Sequence, residues 1–101
     1  ISNNTIGSGT TTTSKVTIEL LNGSGDKTKL EKAKTVLEEA GYEVKKTGNT
    51  TAISKTIITN KKDVKNEKLK NIKETLGVGN ISTNKSSSSL VDVTIVIGKD
   101  F

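Results

Sequence analysis

The sequence predicts an α+β domain, a two-layer sandwich with two helices on one face of a mixed five-stranded sheet. Two segments place apolar residues at helical spacing, and a glycine follows each of them. Segments of alternating apolar residues flank both, and the final segment is apolar on both faces. The predicted order is therefore β-α-β-β-α-β-β, with a small doubly wound sheet as the alternative architecture.

The first predicted strand leads into a glycine-rich turn. Val16, Ile18 and Leu20 alternate with polar residues, which is typical of a half-buried strand. Residues 22–25, Asn-Gly-Ser-Gly, then break the strand just before a helical pattern begins. All later elements are expected to pack against this strand and turn.

The first helix is predicted to begin at a capping box formed by Thr28 and Glu31. Gly41 is expected to end the helix in a left-handed C-cap. The apolar stripe of this helix consists of Leu30, Ala33, Leu37 and Ala40, with Val36 beside it.

The second helix is predicted to begin at Asp63 as its N-cap and to end at Gly77. Its apolar stripe consists of Val64, Leu69, Ile72 and Leu76. We interpret the lysines of this helix as a solvated face, which consists of Lys65, Lys68, Lys70 and Lys73.

Four further strands complete the prediction. The second is short and occupies residues 42–45, before a polar turn at residues 46–54. The third and a weak fourth lie at residues 55–60 and 78–83, and a low-complexity loop follows at residues 84–89. The last strand, residues 91–97, is expected inside the sheet, so the first and last strands should lie near its centre.

Composition excludes several classes of enzyme. The 101 residues include no His and no Cys, so ordinary transition-metal sites, Ser-His-Asp triads and imidazole acid/base catalysis are unavailable. We therefore expect no catalytic residues, no metal and no cofactor. All sixteen basic residues are Lys, the net charge is +5, and the aromatic residues are Tyr42 and Phe101. We interpret this charge as compositional, with no specific nucleic-acid partner, and nucleic-acid binding is the alternative.

Residues 1–14 are uncharged and consist almost wholly of Ser, Thr, Asn and Gly. Such a segment buries too little apolar surface to offset its ordering entropy, so we predict a flexible linker before a domain at residues 15–101. A frayed terminus is the alternative. Because the sequence does not start with Met, we expect a piece of a larger protein.

A glycine-rich turn between strand and helix is a candidate anion site, because backbone N–H groups converge at the helix end. This turn lacks the third glycine of the dinucleotide fingerprint and the Lys-Ser/Thr of a P-loop, and Asp26 would repel a phosphate group. The alternative is structural: the glycines permit positive φ in a tight turn.

Three stretches resemble a known family: VTIELLNGSG at residues 16–25, AGYEV at residues 40–44 and VDVTIVIGKDF at residues 91–101. They look like the LytR C-terminal domain, the accessory domain of LytR-CpsA-Psr cell-envelope proteins, over about residues 15 to 101. The sequence departs from that family's pattern in the short segment before the third strand and in the Lys and Asn residues of the second helix.

The resemblance implies an extracytoplasmic accessory domain without enzymatic activity, tethered to the membrane through an anchor upstream. Its partner would be a cell-wall polysaccharide or an envelope protein, and a nucleic-acid-binding or transcriptional attenuator module is the alternative. The residues expected to contact such a ligand are those of the turn and two lysines after it: Asn22, Gly23, Ser24, Gly25, Lys27 and Lys29.

Overall fold

A computed structural model describes residues 16–101, so the predicted linker at residues 1–14 lies outside the described residues. The described residues form five strands and two helices in the predicted order. Their bounds are β1 Thr17–Asn22, α1 Lys27–Glu39, β2 Glu43–Asn49, β3 Ile57–Asn60, α2 Asn66–Leu76, β4 Asn80–Thr83 and β5 Val93–Ile97.

The strands form one mixed sheet in the order β2-β1-β5-β3-β4. β1 runs parallel to both β2 and β5, whereas β3 is parallel to β4 and antiparallel to β5. Each helix therefore connects two parallel neighbours, and the two strand-helix-strand units lie on either side of β5. The α+β prediction and the central position of the first and last strands are confirmed.

The core lies between the sheet and the two helices. Alternate residues of the central strands are fully buried, namely Ile18, Leu20, Ile58, Val93, Ile95 and Ile97. Ala33 and Leu37 of α1 and Leu69, Ile72 and Leu76 of α2 belong to the same cluster. Because both helices pack on one cluster, no helix of residues 16–101 covers the other face of the sheet.

Both helices end as predicted and begin elsewhere. Gly41 and Gly77 follow the helices with φ of 98° and 82°, so each supplies the positive φ that ends a helix. The predicted cap at Thr28 is wrong, because Asp26 is the N-cap of α1 and its carboxylate accepts from Thr28 N. Asp63 does not cap α2 either, because the N-cap of α2 is Lys65, whose side chain makes no capping hydrogen bond.

The second strand is longer than predicted and runs to Asn49, so part of the expected polar turn is strand. The pairing with β1 shifts after Val44, which leaves Lys45 as an extra residue opposite no β1 partner. Beyond this bulge Thr47 pairs with Leu20, whose side chain faces the helices. The bulge therefore turns Thr47, and not Lys46, toward α1.

Candidate functional site

The Asn22–Gly25 turn is held together by the side chain of its first residue. Asn22 Oδ1 accepts from Ser24 N at 3.0 Å and from Ser24 Oγ at 2.6 Å, while Asn22 Nδ2 donates to Asp26 O at 3.1 Å. Ser24 Oγ also accepts from Asp26 N at 3.0 Å. Both side chains are buried, so the polar groups of Asn22 and Ser24 are committed to the turn.

The two glycines of the turn serve different purposes. Gly25 has φ of 82°, a conformation that favours glycine. Gly23 is required by a close approach, because a Cβ there would lie 3.1 Å from Ile97 O and from Thr51 O. Gly23 N also donates to Ile97 O at 2.7 Å. The expected positive φ is therefore confirmed for Gly25 and not for Gly23, which instead fixes the turn against the end of β5.

Asp26 closes the turn and opens α1. Its Oδ1 accepts from Thr28 Oγ1 at 2.8 Å and from Thr28 N at 2.9 Å. These bonds, the hydroxyl bond first, lower the pKa of the Asp26 carboxyl below its ordinary value, and the charge of Lys29 adds to the effect. An ionised carboxylate therefore occupies the helix N-terminus, where an anionic ligand would otherwise bind.

A cleft of about 440 Å³ opens beside the turn, between the start of α1 and the end of β2. Three of the six predicted contact residues line it, Asn22, Gly25 and Lys27. Its other lining residues come from α1 and from residues 47–52, and they are Leu30, Thr47, Gly48, Asn49, Thr50 and Ala52. Half of the predicted contact residues thus lie in one cleft, which is bounded on its other side by residues that sequence reasoning did not single out.

A second cleft of about 460 Å³ continues along α1 and shares Lys27, Leu30 and Thr47 with the first. Its remaining lining residues are Glu31, Lys34, Thr35 and Glu38. We call the two together the edge groove, because β2 is an outer strand of the sheet. The bulge at Lys45 contributes directly to this groove, since it places Thr47 on the helix side.

Lys29 lies apart from the edge groove. Its Nζ donates to Lys99 O at 3.0 Å, and it lines a separate cleft of about 380 Å³ between α1 and α2. The structure therefore separates Lys27 from Lys29, although the sequence predicted that both contact one ligand together with the turn.

Sequence reasoning missed two aspartates that tie the ends of β5 to neighbouring strands. Asp92 Oδ2 accepts from Thr17 N at 3.0 Å and from Thr17 Oγ1 at 3.1 Å. At the other end, Asp100 Oδ1 accepts from Thr56 N at 2.9 Å and from Thr56 Oγ1 at 2.8 Å. The family-like ending VDVTIVIGKDF contains both aspartates, so both carboxylates join β5 to neighbouring segments of the chain.

The turn after β3 repeats the arrangement at Asn22. Asn60 is the last residue of its strand, is 5% exposed, and bonds both backbone groups of Val64, four residues later. Asn22 likewise ends β1 and reaches Asp26, four residues later. A buried asparagine thus joins strand to helix in each strand-helix-strand unit.

Two further observations concern metal ligands and aromatic side chains. No group of three or more His, Cys, Asp or Glu residues is placed to hold a metal ion within residues 16–101. Tyr42 is buried in the core, and burial raises the pKa of its phenol. Neither aromatic residue of the chain lines the edge groove.

Comparisons with known proteins agree with this fold. The solution structure of the C-terminal domain of RV0431 is similar with a TM-score of 0.54 and 19% sequence identity, over 86% of this chain and 75% of that one. At this identity the likeness shows the fold alone. No curated protein matches the chain. Within residues 16–101, no helix has both the length and the apolar character needed to span a membrane. Residues 15–101 match the family model described as LytR cell envelope-related transcriptional attenuator, and the chain therefore belongs to the LytR C-terminal domain family.

Proposed function

We propose that this domain is a non-catalytic, extracytoplasmic binding module of the cell envelope, and that its edge groove holds a cell-wall glycopolymer. The observation that carries the proposal is the groove itself, which runs beside β2, an outer strand among the described residues, and ends at the Asn22–Gly25 turn. A linear polymer can lie along such a groove without having to enter a closed pocket.

The lining of the groove suits a sugar polymer. Thr47, Asn49 and Thr50 are exposed and offer hydroxyl and amide groups to sugar hydroxyls, while Lys27 offers a positive charge to an acidic substituent. Leu30 supplies an apolar contact at the point where the two clefts meet. Because no aromatic ring is present for stacking, each contact is weak, and affinity depends on repeated engagement of a polymer.

Binding is favoured over catalysis by the available side chains. The whole chain has no His and no Cys. The carboxylate nearest the turn, Asp26, is held ionised by its bonds to Thr28 and is occupied as a helix cap. A general acid needs the opposite, a carboxyl whose pKa is raised toward the working pH.

The test is co-sedimentation of the domain with purified cell walls, using a variant with Lys27→Ala and Asn49→Ala. Its matched control is Lys73→Ala on α2, which also removes an exposed lysine but lies outside the groove. We expect the groove variant to release the wall and the control to remain bound. Equal binding by both proteins would contradict the assignment of the site.

Two further readouts separate the function classes. The wall polymer should be recovered unchanged after incubation, and product formation would refute a non-catalytic role. Binding to duplex DNA should be sequence-blind and lost at physiological salt. A log-log salt slope near about −3.6, the value for roughly four phosphate contacts, together with sequence preference would favour the nucleic-acid alternative.

A further inference from the structure

Four charged residues of α1 form a straight row along the edge groove. Lys27, Glu31, Lys34 and Glu38 all line its α1 side. They stand at positions i, i+4, i+7 and i+11, so they fall within about 60° of one another around the helix and extend over about 16 Å. Their signs alternate, with one charge for roughly each turn of the helix. The groove therefore presents a positive-negative-positive-negative row to whatever lies in it.

Opposite charges three or four residues apart, as in this row, stabilise a helix, but the charges at the two ends of α1 oppose the helix dipole. The first turn of α1 holds no acidic residue and the last turn holds no basic one. Instead, Lys27 lies at the positive end of the helix dipole and Glu38 at the negative end, which is unfavourable at both ends. α2 has the favourable arrangement, with Glu67 in its first turn and Lys73 in its last.

The charges of the row are also not paired with one another. Within the part of the chain that the structure describes, the one ion pair joins Lys85 Nζ to Asp63 Oδ1 at 3.2 Å, away from the groove. All four row residues are exposed. Their ammonium and carboxylate groups are therefore free to contact a ligand.

We infer that the edge groove selects a zwitterionic glycopolymer, one that carries primary ammonium groups as well as anionic phosphodiester groups along its length. Phosphodiesters would contact Lys27 and Lys34, and ammonium groups would contact Glu31 and Glu38. A purely anionic polymer would bring its phosphates against the two glutamates, and like-charge contacts oppose binding. This inference rests on the proposed function and names the polymer class that the same groove takes.

The test compares poly(glycerol phosphate) that bears D-alanyl esters with the same polymer after mild alkaline removal of those esters. The ester carries a primary ammonium group, so only the first polymer is zwitterionic. Titration of the complete chain should show tighter binding of the esterified polymer by about tenfold, as expected for a few exposed charge contacts.

Double substitutions that leave the net charge unchanged test the charge row itself. The double substitution Glu31→Lys with Lys34→Glu converts the alternating row into two positive charges followed by two negative ones. It should abolish the preference for the esterified polymer. Glu31→Gln with Lys34→Gln should do the same without placing like charges side by side, and melting temperatures verify that both variants fold. The matched control is Glu67→Lys with Lys70→Glu on α2, which should keep the full preference.

The outcomes are distinct. Equal binding of the two polymers by the unmodified chain, or a preference that survives both row variants, would overturn this inference while leaving glycopolymer binding intact. Failure of both polymers to bind the unmodified chain would overturn the inference together with the proposed function.

Discussion

Substitution of Asn22 tests whether a buried amide is what joins β1 to α1. Asn22→Ala removes three hydrogen bonds and leaves Ser24 N without its acceptor in a buried turn. Each bond contributes about 0.5–1.5 kcal/mol net, so we expect a loss of about 2–4 kcal/mol in the free energy of unfolding. In a domain of this size such a loss lowers the melting temperature by roughly 4–8 °C per kcal/mol.

The second strand-helix-strand unit provides the matched control. Asn60→Ala removes two bonds of the same kind, to Val64 N at 2.8 Å and Val64 O at 3.0 Å, so the expected loss is about 1–3 kcal/mol. Urea unfolding of both variants, with circular dichroism as the signal, measures the two losses on one scale. An Asn22→Ala variant within about 0.5 kcal/mol of the unmodified chain, the effect of an ordinary surface change, would refute this role.

Three other predictions concern the core, the ends of the strands and the response to pH. Ile95→Ala should cost about 2–5 kcal/mol in urea unfolding and speed amide exchange throughout β5, because Ile95 is fully buried in the central strand. Gly98→Ala should lower the free energy of unfolding by about 3 kcal/mol or more, because its Cβ would collide with backbone atoms of Lys55 and lie 2.7 Å from Thr56 N. Gly77→Ala should cost only about 1–2 kcal/mol, because Gly77 has φ of 82° but open space around it. The folded-state pKa of Asp26 lies below its unfolded value near 3.8. The Asp26 carboxylate therefore stabilises the folded chain at pH values above 3.8, and this stabilisation is lost as the pH falls through the lower folded-state pKa. Asp26→Asn should therefore lower the melting temperature at neutral pH, and the difference should shrink as the pH falls below 3.8; a difference that stays constant with pH would contradict the cap.

Periodicity was sufficient to predict the elements and their layers. The apolar alternation of β1 and β5, seen at Ile18, Leu20 and Ile95, identifies strands, because a shift of one residue in the pairing would move these buried side chains to the other face of the sheet. The glycines after each helix were equally informative, since positive φ at Gly41 and Gly77 leaves few other residues possible. The central position of β5 followed from apolar residues on both of its faces.

The starts of the helices and the bulge at Lys45 could not be predicted from local sequence patterns. Thr28 and Glu31 have the spacing of a capping box, but Asp26 lies two residues earlier and offers a stronger, ionised acceptor to the same backbone. The bulge at Lys45 depends on pairing with β1, a long-range contact that no local pattern encodes. Thr47 and Asn49 were therefore not recognised as lining the site.

The candidate site was predicted in part. The turn was identified from its glycines, but burial and internal bonding of Asn22 and Ser24 depend on the end of β5 and on Asp26. Lys27 and Lys29 are two residues apart, and residues two apart on a helix point to different sides, so one lines the edge groove and the other the α1–α2 cleft.

Amide chemical-shift mapping during titration with teichoic-acid fragments shows whether the edge groove holds a wall glycopolymer. We expect shifts concentrated at Lys27 and along residues 47–52, with weaker shifts toward Glu38 and none on the face of the sheet opposite the helices. Shifts confined to α2, or no shifts at a saturating concentration of polymer, would contradict binding in the groove.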